Sequence, residues 1–226
     1  MRKVSCVDPS EESASNETGD NMETYEQQLD RNFEWALREG SMHFDKGNAV
    51  HNALRKITKR LDDLGIPYAV VGAMAMFFHG YRRFTEDVDL LVTPQGLAEL
   101  HRKLEGLGYL PPFQGSKQLR DTENGVKVEF LVAGEYPGDG KPKPVAFPKP
   151  QDASVEIDGI HFLQLPKIIE LKLASGMTNP ARRKDLADVQ ELIRELNLPI
   201  DLSGQLNPFV QATYDQIWNE VHSNPP

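Results

Sequence analysis

An α+β domain is expected from this chain: a small mixed β-sheet flanked by helices, with a helical C-terminal part. Three features point there. The apolar runs PYAVVG, EDVDLLV and GVKVEFLV have strand length. The stretches between the first three runs carry apolar residues at helical spacing. After residue 164 only helical patterns follow.

The elements can be taken in order. Residues 23–40 place Tyr25, Leu29, Phe33, Trp35 and Leu37 at broadly helical spacing, and Gly40 is the expected C-cap. AVHNALRKITKRLDDLG puts Val50, Leu54, Ile57 and Leu61 on one stripe, closed by Gly65. PYAVVG is a buried strand, and AMAMFFHG is a short apolar helix ending at Gly80. EDVDLLV is the second strand. PQGLAELHRKLEGLG is a helix with Leu97, Leu100, Leu104 and Leu107 inward. GVKVEFLV is the third strand. Residues 134–153 are rich in Gly and Pro and are expected to form a long loop. SVEIDGIHFL reads as a hairpin with Asp158-Gly159 at its turn. LPKIIELKLASG and NPARRKDLADVQELIREL are helices, the second with Asn179 as N-cap and Pro180 in the first position. A last helix is expected over 208–222.

This divides the chain into a disordered acidic tail (1–22), a helical extension (23–46), a main domain (47–200) and a C-terminal helix and tail (201–226). The 226 residues suffice for one domain with a core plus a tail. A net charge of −9 argues against a generic nucleic-acid binder but leaves room for a local basic patch. No apolar run reaches membrane-helix length, the N-terminus lacks a signal-like apolar stretch, and Cys6 is the only cysteine. A cytoplasmic location with no membrane partner is expected.

Chemistry concentrates on the second strand. Asp87 and Asp89 are two apart, so they share a face, while Val88 and Leu90 point the other way. Two carboxylates so close repel unless a cation lies between them, and Mg²⁺ favours oxygen ligands. On the third strand Val126, Val128, Phe130 and Val132 form one face, and Glu129 with Lys127 the other. If the two strands pair, Glu129 joins the aspartates in a cluster able to bind one or two Mg²⁺ ions. Asp-x-Asp alone is a common solvated motif; here the strand is otherwise apolar and follows closely on the turn at Gly72-Ala73. Such a small-residue turn lets backbone N–H groups approach a phosphate. Arg82, Arg83 and Thr85 precede the acidic strand. Arginine binds phosphate bidentately, and Thr85 is placed to fix the turn. His79 and His101 lack ligand-spaced partners and read as ordinary helix residues. Met74, Met76, Phe77 and Phe78 read as core.

The stretch YAVVGAMAMFFHGYRRFTEDVDLLV resembles the nucleotidyltransferase superfamily that includes DNA polymerase beta. It is most similar to the AbiEii-type toxin and minimal nucleotidyltransferases. The family pattern of small-residue turn, helix, basic residue, Ser or Thr, then Asp-x-Asp appears as Gly72-Ala73, Arg82/Arg83, Thr85 and Asp87-Val88-Asp89. Glu129 matches the acidic residue of the later strand. Lys167, Lys172, Arg183, Asp185 and Asp188 match the family's helical segment, and the resemblance spans about Gly47 to Leu198. Ala73 departs from the usual second Gly or Ser and lacks the hydroxyl of the Ser version.

The resemblance implies transfer of a nucleoside monophosphate from an NTP to an acceptor hydroxyl, in RNA, protein or a small molecule, in a toxin-like enzyme. Asp87, Asp89 and Glu129 would hold Mg²⁺ or Mn²⁺, with Glu129 sharing a second metal or accepting the acceptor's proton. Gly72, Ala73, Arg82, Arg83, Thr85 and Lys172 would bind the nucleotide, and Asp185 and Asp188 would orient Lys172 and Arg183. tRNA is one implied acceptor and an antitoxin an implied partner. The alternatives are a catalytically impaired binding protein with the same fold, and an antibiotic-modifying small-molecule nucleotidyltransferase.

Overall fold

The computed structural model describes residues 23–223, so the expected tail at 1–22, with Cys6, lies outside the described residues. The chain begins with α1 (Tyr25–Arg31), α2 (Phe33–Phe44) and α3 (Ala49–Asp63). Next come β1 (Tyr68–Val71), α4 (Gly72–Phe78), β2 (Asp87–Val92) and α5 (Pro94–Leu104). Three strands follow: β3 (Tyr109–Leu110), β4 (Gln118–Asp121) and β5 (Lys127–Val132). Short α6 (Pro150–Ala153) leads into β6 (Ser154–Ile157) and β7 (Ile160–Leu163). Helices α7 (Leu165–Thr178), α8 (Arg183–Glu195) and α9 (Pro208–Ser223) complete the fold.

The expected α+β architecture is present. One seven-stranded mixed sheet has the order β3-β4-β5-β2-β1-β7-β6. β1 pairs antiparallel with β2, and β2 pairs parallel with β5. β4 and β3 extend the sheet beyond β5, and the β6–β7 hairpin joins β1 on the other side. Asp158 and Gly159 both take positive φ, 53° and 77°, as a two-residue hairpin turn requires. The α3 stripe of Val50, Leu54, Ile57 and Leu61 is fully buried, and Met74, Met76 and Phe77 lie in the core as expected.

Several local expectations change. The N-terminal segment is two helices, not one. Asn32 ends α1 and caps α2 by accepting from the Trp35 N–H at 3.0 Å. Gly40 lies inside α2, which continues to Phe44. The continuation places Glu39, whose Oε2 accepts from the Ala49 N–H at 2.9 Å and from the Tyr25 hydroxyl at 3.2 Å. Helix α5 stops at Leu104, so Leu107 is exposed rather than inward. Strands β3 and β4 were not expected. β3 has only two residues, and β4 (QLRD) buries an aspartate, Asp121, whose carboxylate accepts from Lys56 at 2.5 Å and Asn124 at 2.6 Å. The Gly/Pro-rich loop ends in α6 and is tied to α7 by Lys143, which donates to Pro137 O at 2.5 Å and to Thr178 at 3.2 Å. Asn179 caps a 3-10 turn over Pro180–Arg182, and α8 starts only at Arg183.

Helices α1 and α2 are docked. Tyr25 is fully buried, its backbone N–H donates to Gly125 O at 3.1 Å, and Glu26 pairs with Arg120 at 2.7 Å. Removing the ring leaves a cavity and takes from the Glu39 carboxylate one of its two hydrogen bonds. Tyr25→Ala is therefore expected to cost about 3–5 kcal/mol in urea-induced unfolding, and to open the α1–α2 segment to limited proteolysis. A loss under about 1 kcal/mol would show that the segment docks without Tyr25.

Candidate active site

The geometry of the site follows from strand register. In the β2–β5 pair Asp87 lies opposite Lys127 and Asp89 opposite Glu129. Parallel neighbours in register point to the same side of a sheet. Val88, Leu90, Val128 and Phe130 therefore fill one face, and Asp87, Asp89, Lys127 and Glu129 share the other. Leu91 follows on that same face and is fully buried, so the carboxylates stand where the cover over the sheet ends. One oxygen from each of Asp87, Asp89 and Glu129 lies within 4.8 Å of the others. The sequence-predicted acidic triad thus converges, among the described residues, with all three side chains half-buried.

The small-residue bend lies against this cluster. Gly72 follows β1 with φ of +62°, and Val71 is registered with Asp89. A Cβ on Gly72 would collide with the Asp89 carboxylate, its Cγ only 2.8 Å away. Glycine is needed here for its backbone conformation and for this close approach. Ala73 is buried, so its methyl contributes to the core.

Hydrogen bonds distinguish the three acids. Asp87 accepts from the Thr85 hydroxyl at 2.8 Å and from the Lys127 ammonium at 3.1 Å. Glu129 accepts from Lys127 at 3.3 Å and Gln118 at 3.4 Å. Asp89 has neither lysine nor hydroxyl within such reach among the described residues. Burial first, then the charges of Asp87 and Glu129, push its carboxyl up to about 7. Burial opposes the charge on Lys127, but Asp87 and Glu129 outweigh it and hold its pKa above the ordinary value. Neither Lys127 nor Gln118 was predicted as a site residue. Lys127 was visible as the residue two before Glu129, whereas Gln118 sits on the unforeseen β4.

A second polar cluster joins α7 to α8. The Lys172 ammonium donates to Asp188 at 2.6 Å and Asp185 at 3.0 Å, and its side chain is largely buried. Asp185 also accepts from Ser175 at 2.6 Å and Arg182 at 3.1 Å. Burial raises the Asp185 pKa, yet Lys172, Ser175 and Arg182 outweigh it and hold it below the ordinary range. The expected orientation of Lys172 by these aspartates is present, whereas Arg182, not Arg183, makes the arginine contact. Arg83 reaches Asp188 at 3.4 Å, and its carbonyl accepts from His43 Nε2 at 3.0 Å. Arg82 is exposed, its guanidinium 5.6 Å from the centre of the Phe77 ring. His79 bonds Leu163 O at 2.8 Å, an ordinary structural role. A surface groove between α1–α2 and the 122–125 turn contains none of the three carboxylates.

No protein-family model matches the chain, and no curated protein matches it. Similar solved structures do exist. A proposed nucleotidyltransferase from Thermotoga maritima is 23% identical, over 61% of this chain and 92% of that one, with a TM-score of 0.45. An antigenic nucleotidyltransferase-like protein from Paracoccidioides brasiliensis is 17% identical, over 77% and 88%, with a TM-score of 0.44. ANT(2'')-Ia, solved in complex with adenylyl-2''-tobramycin, is 14% identical, over 76% and 88%, with a TM-score of 0.38. At such identities and TM-scores these likenesses fix neither activity nor substrate for this chain. Among the described residues no helix is long and apolar enough to cross a membrane.

Two outcomes follow from the electrostatics and the close approach. Asp89 carries a folded-state pKa raised from 3.8 to about 7. Between these values the folded protein holds a proton that the unfolded chain releases, so stability falls as pH rises through the interval. Asp89→Asn, which mimics the neutral form, is expected to raise the melting temperature in metal-free buffer at pH 8. The gain should vanish below pH 4, and a destabilised mutant at pH 8 would contradict the assignment. Gly72→Ala is expected to cost about 1–3 kcal/mol, and less in an Asp89→Ala background, because the collision with the carboxylate is gone. Equal costs in both backgrounds would mean that backbone strain alone is responsible.

Proposed function

We propose that this protein is a metal-dependent nucleotidyltransferase, moving a nucleoside monophosphate from an NTP to an acceptor hydroxyl with release of pyrophosphate. The observation that carries this reading is the convergence of Asp87, Asp89 and Glu129, from two paired strands, beside the Gly72 bend. The residues fit a hard divalent cation such as Mg²⁺ or Mn²⁺: the donors are all carboxylate oxygens, and burial and like charge, outweighing Lys127 and Lys172, raise the pKa of Asp89. When bound, such a cation neutralises phosphate charge and stabilises the departing pyrophosphate.

The chain's own residues supply the rest. Gly72 lets the Asp89 carboxylate lie against the backbone beside the cluster, and Thr85 fixes the Asp87 rotamer through its 2.8 Å bond. Lys172 has two of its three N–H donors engaged by Asp185 and Asp188, so one stays available for a phosphate oxygen. Arg83 is held in the same network by Asp188, and Arg82 is exposed where it can swing toward substrate. In the transfer step the acceptor oxygen bonds to the α-phosphorus while the bond to the pyrophosphate oxygen breaks. Glu129, with 39% of its side chain exposed, is the candidate to take the acceptor's proton.

Glu86, Glu26 and Asp30 add negative charge on the Asp87 side of the cluster. Burial, then Glu26, Asp87 and Asp30, raise the Glu86 pKa, which places these carboxylates in one another's field. A polyanionic acceptor such as tRNA would be repelled there, so a small acceptor that is neutral or cationic fits better.

Pyrophosphate release from each of the four NTPs, with Mg²⁺ and panels of hydroxyl acceptors, tests the proposal. Asp87→Asn, Asp89→Asn and Glu129→Gln are each expected to lower turnover by at least about 10³-fold while leaving the fold intact by circular dichroism. Chelation should abolish turnover and excess Mg²⁺ restore it. Full turnover in the Asp87→Asn/Asp89→Asn double variant would refute the reading.

A further inference from the structure

The β2–β5 register places a cation among the acids as firmly as it places the acids themselves. Lys127 lies opposite Asp87 and two residues before Glu129, so its stem rises from the same face between them. Its ammonium is 3.1 Å from Asp87 Oδ2 and 3.3 Å from Glu129 Oε2. Across the antiparallel β4–β5 pair Lys127 faces Arg120. That guanidinium is committed elsewhere, to Glu26 at 2.7 Å and to Gly125 O at 2.7 Å. Lys127 therefore holds two of the three carboxylates a divalent ion would use. An ammonium and a divalent cation cannot share those oxygens at close range without mutual repulsion.

Resting on the metal-centre reading above, we propose that Lys127 is a built-in competitor for the divalent cation. Its ammonium keeps Asp87 and Glu129 converged in the metal-free protein, and it must leave them when a cation binds. The residue thereby weakens the affinity of the cluster for free metal while keeping the ligands gathered. Removing the charge should have two opposite effects: the metal-free fold loses two ion pairs, and the metal gains an uncontested site.

Calorimetric titration of the full chain with MnCl₂, without nucleotide, tests this on wild type, Lys127→Met and Lys127→Arg. Lys127→Met keeps the apolar stem and is expected to bind Mn²⁺ roughly tenfold more tightly, the sum of two part-exposed ion pairs. Lys127→Arg keeps the charge and should bind about as weakly as wild type. In EDTA the Lys127→Met protein should melt below wild type, and saturating Mn²⁺ should close that gap. Asp89→Asn should weaken binding in both backgrounds, which locates the measured ion at the cluster. If Lys127→Met does not fold, Lys127→Gln serves in its place. Unchanged or weaker Mn²⁺ binding by the charge-removed variant would overturn the proposal while leaving the metal centre standing. Absence of Mn²⁺ binding in every variant would remove the metal centre itself.

Discussion

The parallel pairing of β2 with β5 sets Asp89 beside Glu129 and Asp87 beside Lys127, and the candidate site exists only because of it. The pairing is fixed from the other face, where Val88, Leu90, Val128 and Phe130 are buried. A slip of one residue would turn those apolar side chains out and the acids in. The hydrophobic effect therefore sets the position of the charged groups. Their mutual repulsion is a cost the core can bear, because register is decided by many buried contacts and the repulsion by a few half-buried ones.

Repulsion is eased locally. Thr85 and Lys127 hold Asp87, Lys127 and Gln118 hold Glu129, and Asp89 is left with the largest unrelieved share. The tightest packing in the site falls on the same residue, where Gly72 admits its carboxylate against the backbone. Two ordinary features, a positive-φ bend and an alternating strand, thus bring a glycine backbone and a cluster of three carboxylates into contact.

The helices anchor the segment that carries the basic residues. Arg83 is tied to α2 through its carbonyl and His43, and to α8 through Asp188. Asp188 in turn holds Lys172 on α7. The α2–α3 connection is fixed by Glu39, Tyr25 and Asn48. A single hydrogen-bonded chain therefore runs from the N-terminal helices to Lys172 on α7. It ties α1 and α2 to the ion-pair cluster between α7 and α8.

Periodicity in the sequence determined the strands β1, β2 and β5, the α3 stripe, the Asp158-Gly159 turn and the shared face of Asp87 and Asp89, because these depend on neighbours a few residues apart. It did not reveal β3, only two residues long, or the largely polar β4, whose Asp121 is held by Lys56, 65 residues away. Nor did it decide that Gly40 stays helical, since the Glu39 carboxylate is held by residues from two other helices. The acidic pair and its candidate third member Glu129 were legible in the chain, but their convergence, the lysine between them and the glycine contact were decided only by the folded sheet. Register is a property of the folded sheet, set by side chains far apart in sequence that are buried together.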